Sequence, residues 1–186
     1  ELLPDDVLDV EKISPGLFRK WSFAAGTESA ANARQVRIIY LVPSDKSVRE
    51  DYKAALTDAA LQIQDFYQKD LGGGLTFALR SPVVEIYRTP HPAAWYATNE
   101  IPDLNRHFWF YENLVSDGFP LSGAAFNDPN NRWIFFIDAD SACDQMSVGG
   151  TSGFAFHGAA ILRGLTKQAG VDPCPDGQTE TGRHSR

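Results

Sequence analysis

Asp138, Asp140 and Asp144 stand at the end of a hydrophobic run, just before a glycine-rich loop. Carboxylate oxygens at this spacing could ligate calcium. The loop lacks the EF-hand pattern, and solvated carboxylates or turn caps are the stronger reading of the same residues. The four histidines, His91, His107, His157 and His184, lack the i, i+4 and His-x-His spacings that pre-arrange zinc ligands. His157 alternates with Phe156 and Gly158 on an expected strand, where a structural role outweighs a ligand role. Ser152 lies in Gly150-Thr151-Ser152-Gly153, which misses the second glycine of a nucleophile elbow. Neither Cys143 nor Cys174 has a neighbour that would lower a thiol pKa. The sequence has no GxGxxG after a strand and no Walker A loop. No complete catalytic set is present, so no catalytic residue is assigned. Trp95, Tyr96 and Trp109 are the aromatic residues that, if exposed, would read a peptide or a glycan.

Composition narrows the function classes. The chain has 186 residues, 43% hydrophobic and 12% aromatic, with a net charge of -7. That supports one packed domain with a tail and excludes wholesale disorder. The acidic balance argues against a partner bound through nucleic-acid phosphates, and no apolar run approaches the ~20 residues of a membrane span. The sequence opens at Glu1 rather than Met, and its two cysteines, Cys143 and Cys174, could form one bridge. Together these favour a secreted or periplasmic protein over a cytosolic one, with two unrelated buried thiols as the alternative.

The elements that must position these residues are legible as a period-switching pattern. Residues 1–35 are expected to be irregular, with one short strand near Phe18–Phe23. Val36–Val42 is almost wholly apolar and reads as a central strand. Ser47 and Glu50 form a capping-box pattern at the head of a helix reaching Leu71. Its stripe is Val48, Tyr52, Leu56, Ala59, Ile63 and Phe66 or Tyr67, and Gly72-Gly73-Gly74 stops it. Leu75–Arg80 and Val83–Arg88 follow as strands, with Pro82 marking a bulge or an edge. Pro102 opens a second helix with the stripe Leu104, Phe108, Tyr111 and Val115, ended by Gly118. Arg132–Asp140 is another buried strand, and Phe154–Leu162 a further one. The strand–helix–strand order makes the sheet mostly parallel. The expected fold is therefore α/β, with α+β as the alternative: a twisted mixed, mostly parallel sheet backed by one long helix and a second, shorter one. It occupies 36–165, and 166–186 is a polar loop segment.

The stretches VRIIYLVPSDKSVREDY, VVEIYRTPHPAAWYATNE, WIFFIDADSAC and GAAILRGL, in this order, resemble secreted, mainly bacterial, zincin-like proteins. More broadly, the element order resembles the upper subdomain of the metzincin zinc metalloproteases. The resemblance implies a zincin-like fold, a peptide or protein substrate, and a zinc-binding HExxH helix. No HExxH occurs up to Arg186, so zinc is expected only with a segment downstream of it, in the remaining C-terminal half of the same protein. The resemblance further implies that a strand near that helix pairs with extended substrate. Here the candidate is Gly153, Phe154, Ala155, Phe156 and His157. The alternative is a stand-alone secreted peptide- or glycan-binding module without catalysis. An independent hydrolase using Ser152 or Cys143 has no partner spacing behind it.

Overall fold

The computed structural model describes residues 34–70 and 76–168. In chain order these form β1 (Gln35–Val42), α1 (Glu50–Asp70), β2 (Ala78–Arg88), α2 (Trp95–Thr98), α3 (Trp109–Ser122), β3 (Asn131–Ile137), β4 (Val148–Thr151), β5 (Phe154–His157) and α4 (Ala159–Leu165). A 3-10 turn at Arg106–Phe108 leads into α3. The five strands form one sheet in the order β2-β1-β3-β5-β4. β1 is parallel to β2 and β3, β3 is parallel to β5, and only β4 runs antiparallel, to β5. The fold is mixed α/β with a mostly parallel sheet.

Alternation along β1 builds two cores, because successive side chains point to opposite faces of a sheet. Ile39 and Leu41 pack with Phe135, Phe154 and Phe156 beneath Phe110 and Leu114 of α3. Ile38, Tyr40 and Val42 pack on the other face with Tyr52, Leu56 and Ala60 of α1 and Leu162 of α4. Both faces are therefore covered, which explains why β1 reads as an unbroken apolar run.

Pro82 has the consequence expected of it. Val36 pairs with Leu79 and Ile38 with Val84, so two steps on β1 oppose five on β2, and the register breaks around Pro82. The two expected segments are one irregular edge strand, since a proline lacks the N–H that a ladder requires.

Several boundaries differ from expectation. α1 begins at Glu50, three residues after Ser47, so Ser47 does not cap its first turn. Its buried residues are Tyr52, Leu56 and Ala60, while Val48, Ile63, Phe66 and Tyr67 are exposed. Pro102 does not open the second helix; α3 starts at Trp109 and buries Phe110, Asn113, Leu114, Asp117 and Gly118. Gly118 lies inside α3 because a Cβ there would meet Phe135 Cε1 at 2.7 Å, and the glycine lets helix and sheet approach closely. The helix ends instead at Gly123, whose φ of 74° is the left-handed exit. The segment expected as a strand to Leu162 stops at His157 and turns into α4 at Ala159. Phe18–Phe23 and Gly72–Gly74 lie outside the described residues.

Candidate functional site

A sheet with two ends has two edges, and here they differ. At one end, β2 is an edge guarded by the features that discourage strand addition: a proline, an irregular register and the half-exposed charge of Arg80. At the other end, β4 reads Val148-Gly149-Gly150-Thr151, with no charge and no proline. Its outer side is unpaired among the described residues.

The hairpin that makes β4 is encoded locally. Ser152 and Gly153 have φ of 49° and 82°, so both central residues of a two-residue turn occupy the left-handed region. Thr151 then faces Phe154, Gly149 faces Phe156, and the Ser147 carbonyl accepts from Gly158 N–H at 2.8 Å. Antiparallel alternation directs the backbone groups of 147, 149 and 151 toward β5. The N–H and C=O of Val148 and Gly150 therefore point outward.

The glycines of β4 are set by close packing against its neighbours in the fold. A Cβ on Gly150 would come within 2.9 Å of the Phe154 carbonyl oxygen, and one on Gly149 within 3.1 Å of the Phe156 ring. Glycine inside a strand is also what a close approach by a second backbone requires.

No protein-family model and no curated protein matches the chain. One solved structure is similar. It is the crystal structure of catalytic inactive OgpA from Akkermansia muciniphila in complex with an O-glycopeptide (glycodrosocin) substrate, at 20% identity and a TM-score of 0.41. The match covers 74% of this chain and 41% of that one, so the chain spans less than half that protein's length.

Phe154–His157 is not the edge. β5 lies between β3 and β4, with its backbone committed on both sides. Phe154 and Phe156 are buried among Tyr111, Phe119 and Phe135, and their rings serve the core. Ala155 and His157 face the opposite side. His157 stacks on Phe136 at 4.9 Å, and its buried Nδ1 has no hydrogen-bond partner among the described residues. Burial pushes its pKa below the ordinary value, which favours the neutral ring. The resemblance placed the substrate strand at Gly153–His157, but the strand within it is internal to the sheet and the adjacent edge is β4. The two-residue Ser152-Gly153 turn was the signal that a second strand precedes β5.

The three aspartates are separated by their partners. Asp140 is bound by Arg163 through two hydrogen bonds of 2.7 and 3.0 Å, and Asp144 pairs with Arg106 at 2.7 Å. Asp138 is 7% exposed, and burial raises its carboxyl above the usual range despite Lys46 and Arg49. Among the described residues, no group of three or more His, Cys, Asp or Glu could hold a metal ion. The calcium expectation therefore has no support, and the described residues do not form a zinc site. Cys143 is not a free thiol, while Cys174 lies outside the described residues. Ser152 is the turn residue, with its hydroxyl 3.3 Å from that of Thr151.

A polar network that the sequence did not suggest joins the β2–α2 turn to α3. His91 Nδ1 lies 2.9 Å from Asp117 Oδ2, Tyr96 OH donates to the same oxygen at 2.6 Å, and the His91 ring stacks on Trp95 at 3.6 Å. Tyr96 is fully buried, and burial followed by the Asp117 contact pushes its phenol up. Trp109 is half-buried and donates Nε1–H to the Leu104 carbonyl at 3.1 Å. The three aromatics do not form an exposed platform.

Proposed function

We propose that this chain is the N-terminal, sheet-bearing part of a secreted zinc-dependent endopeptidase, and that its role is to hold an extended peptide along the free edge of β4. The observation that carries this is the contrast between the two edges. β2 is guarded, whereas β4 offers two N–H and two C=O groups, at Val148 and Gly150, on a strand with no charge and no proline. Strand addition supplies affinity through main-chain bonds and suits a substrate recognised for its extended shape. The motif order quoted above supports the zincin reading.

Among the described residues no cluster of three or more His, Cys, Asp or Glu could hold a metal ion, and the sequence has no HExxH, so the zinc is proposed to lie downstream of Arg186. Export belongs to the same proposal: Cys143 is not free, and a bridge to Cys174 would form in an oxidising compartment. The binding-module reading through exposed aromatics is weakened by the burial of Tyr96.

The test is zinc content and peptide cleavage of the polypeptide extended beyond Arg186. About one zinc per molecule with chelator-sensitive cleavage supports the reading. An extended product that binds no zinc and cleaves nothing overturns it.

A further inference from the structure

The apolar stripe of α1 is longer than the sheet beneath it. Tyr52, Leu56 and Ala60 are buried, yet Ile63 and Tyr67 continue the same helical face with 51% and 42% exposure. Phe66, beside them, is 57% exposed. Steps of three and four keep 60, 63 and 67 in one line, so this is an interrupted core stripe rather than scattered surface residues. Edge-to-face contacts from Phe66 to Tyr67 (6.0 Å) and from Tyr67 to Phe77 (5.9 Å) join them into one exposed aromatic patch.

The chain itself offers an occupant. Gln64 Nε2 donates to the Phe77 carbonyl at 2.8 Å, and the neighbouring Ala78 pairs with Gln35 at the start of β1. The N-terminal end of β1 thus lies beside the uncovered end of α1. Leu17-Phe18-Arg19-Lys20-Trp21-Ser22-Phe23 combines four apolar residues with two cations. On the face of α1 that carries Ile63, Phe66 and Tyr67 the charged residue is Asp70, an acid complementary to Arg19 and Lys20, whereas Asp65 is on the opposite face and pairs with Lys69. The eleven residue steps from Phe23 to Arg34 can span up to about 35–40 Å, well beyond the ~5 Å between neighbouring strands.

We propose that the exposed end of α1 is a docking surface for residues 17–23 of the same chain, with Phe18 and Trp21 set against Ile63, Phe66 and Tyr67. The interaction extends the stripe of α1 into a second small core at the N-terminal end of β1.

Amide hydrogen exchange on the whole chain tests this, with the β1 amides as the control for intact folding. Phe18→Ser with Trp21→Ser should speed exchange of the residue 62–70 amides about tenfold or more and leave β1 unchanged. Ile63→Ser with Tyr67→Ser should do the same, and combining the pairs should add little. Unchanged exchange at 62–70 in the Phe18/Trp21 variant overturns the proposal. So does protection that rises with protein concentration alongside a dimer in sedimentation, which would make a second copy the occupant.

Discussion

Gly150 sits directly across from Ala155, and the Cβ it lacks would lie 2.9 Å from the Phe154 carbonyl oxygen. This pair keeps the last strand of the sheet thin. Gly150→Val should destabilise the protein by about 1–3 kcal/mol, as overpacking does. The obstacle is backbone, which cannot swing aside as a side chain can. Urea denaturation measures the change.

Val148→Pro should separate binding from folding. Its N–H faces outward and serves no bond within the sheet, so proline at this edge position is tolerated. Stability should change by less than about 1 kcal/mol, while peptide binding should weaken about fivefold for one lost hydrogen bond. Isothermal titration with wild-type and variant protein reads both arms.

Gly118→Ala runs against helix propensity. Alanine in a helix interior ordinarily gains up to about 1 kcal/mol over glycine. Here the new Cβ would meet Phe135 Cε1 at 2.7 Å and Leu41 Cδ1 at 3.2 Å. Strain should win, giving a net loss of about 1–2 kcal/mol in thermal or chemical denaturation.

Arg37 and Glu85 form a bidentate pair whose side chains are each 10% exposed, and the guanidinium lies 4.1 Å above the Trp133 ring. Burial alone would raise the Glu85 carboxyl, but hydrogen bonds and charge from Arg37 outweigh it and hold the pKa below the usual value. A depressed carboxyl stabilises the fold above its unfolded pKa, about 4.3. That contribution is lost as pH falls through the lower folded value. Arg37→Met strands the Glu85 charge and should cost about 3–5 kcal/mol at pH 7. The deficit should shrink in acid as Glu85 protonates, which a denaturation series between pH 7 and pH 3 records.

His157 has the opposite chemistry with a similar direction in pH. Its lowered pKa means that the unfolded chain takes up a proton first as pH falls below 6.5, so stability declines from there toward the folded value. In His157→Phe that part of the slope should vanish. Denaturation midpoints at pH 7.5 and 5.5 give the comparison.

Much of the scaffold was legible because β1 is buried on both faces and α1 has a periodic stripe. Pro82 likewise announced a bulge or an edge, since it lacks the N–H that a ladder requires. The end of α3 was misplaced because Gly118 reads locally as a helix stop. Only the distant Phe135 ring shows that it is a point of contact. The substrate strand was placed at Gly153–His157 by the resemblance, whereas Phe154–His157 is hydrophobic because it lies inside the sheet. Val148–Thr151 has too little side chain to announce itself, and what it offers is backbone. The His91–Asp117–Tyr96 network joins residues up to 26 apart with no common spacing, so no local pattern could reveal it.

Residue-resolved amide exchange at β4, before and after adding a degenerate mixture of decapeptides, tests the central claim most directly. The amides of Val148 and Gly150 should become protected on peptide addition. Those of Gly149 and Thr151, already bonded to β5, should not change. No added protection at Val148 and Gly150, or protection appearing at β2 instead, would contradict strand addition at this edge.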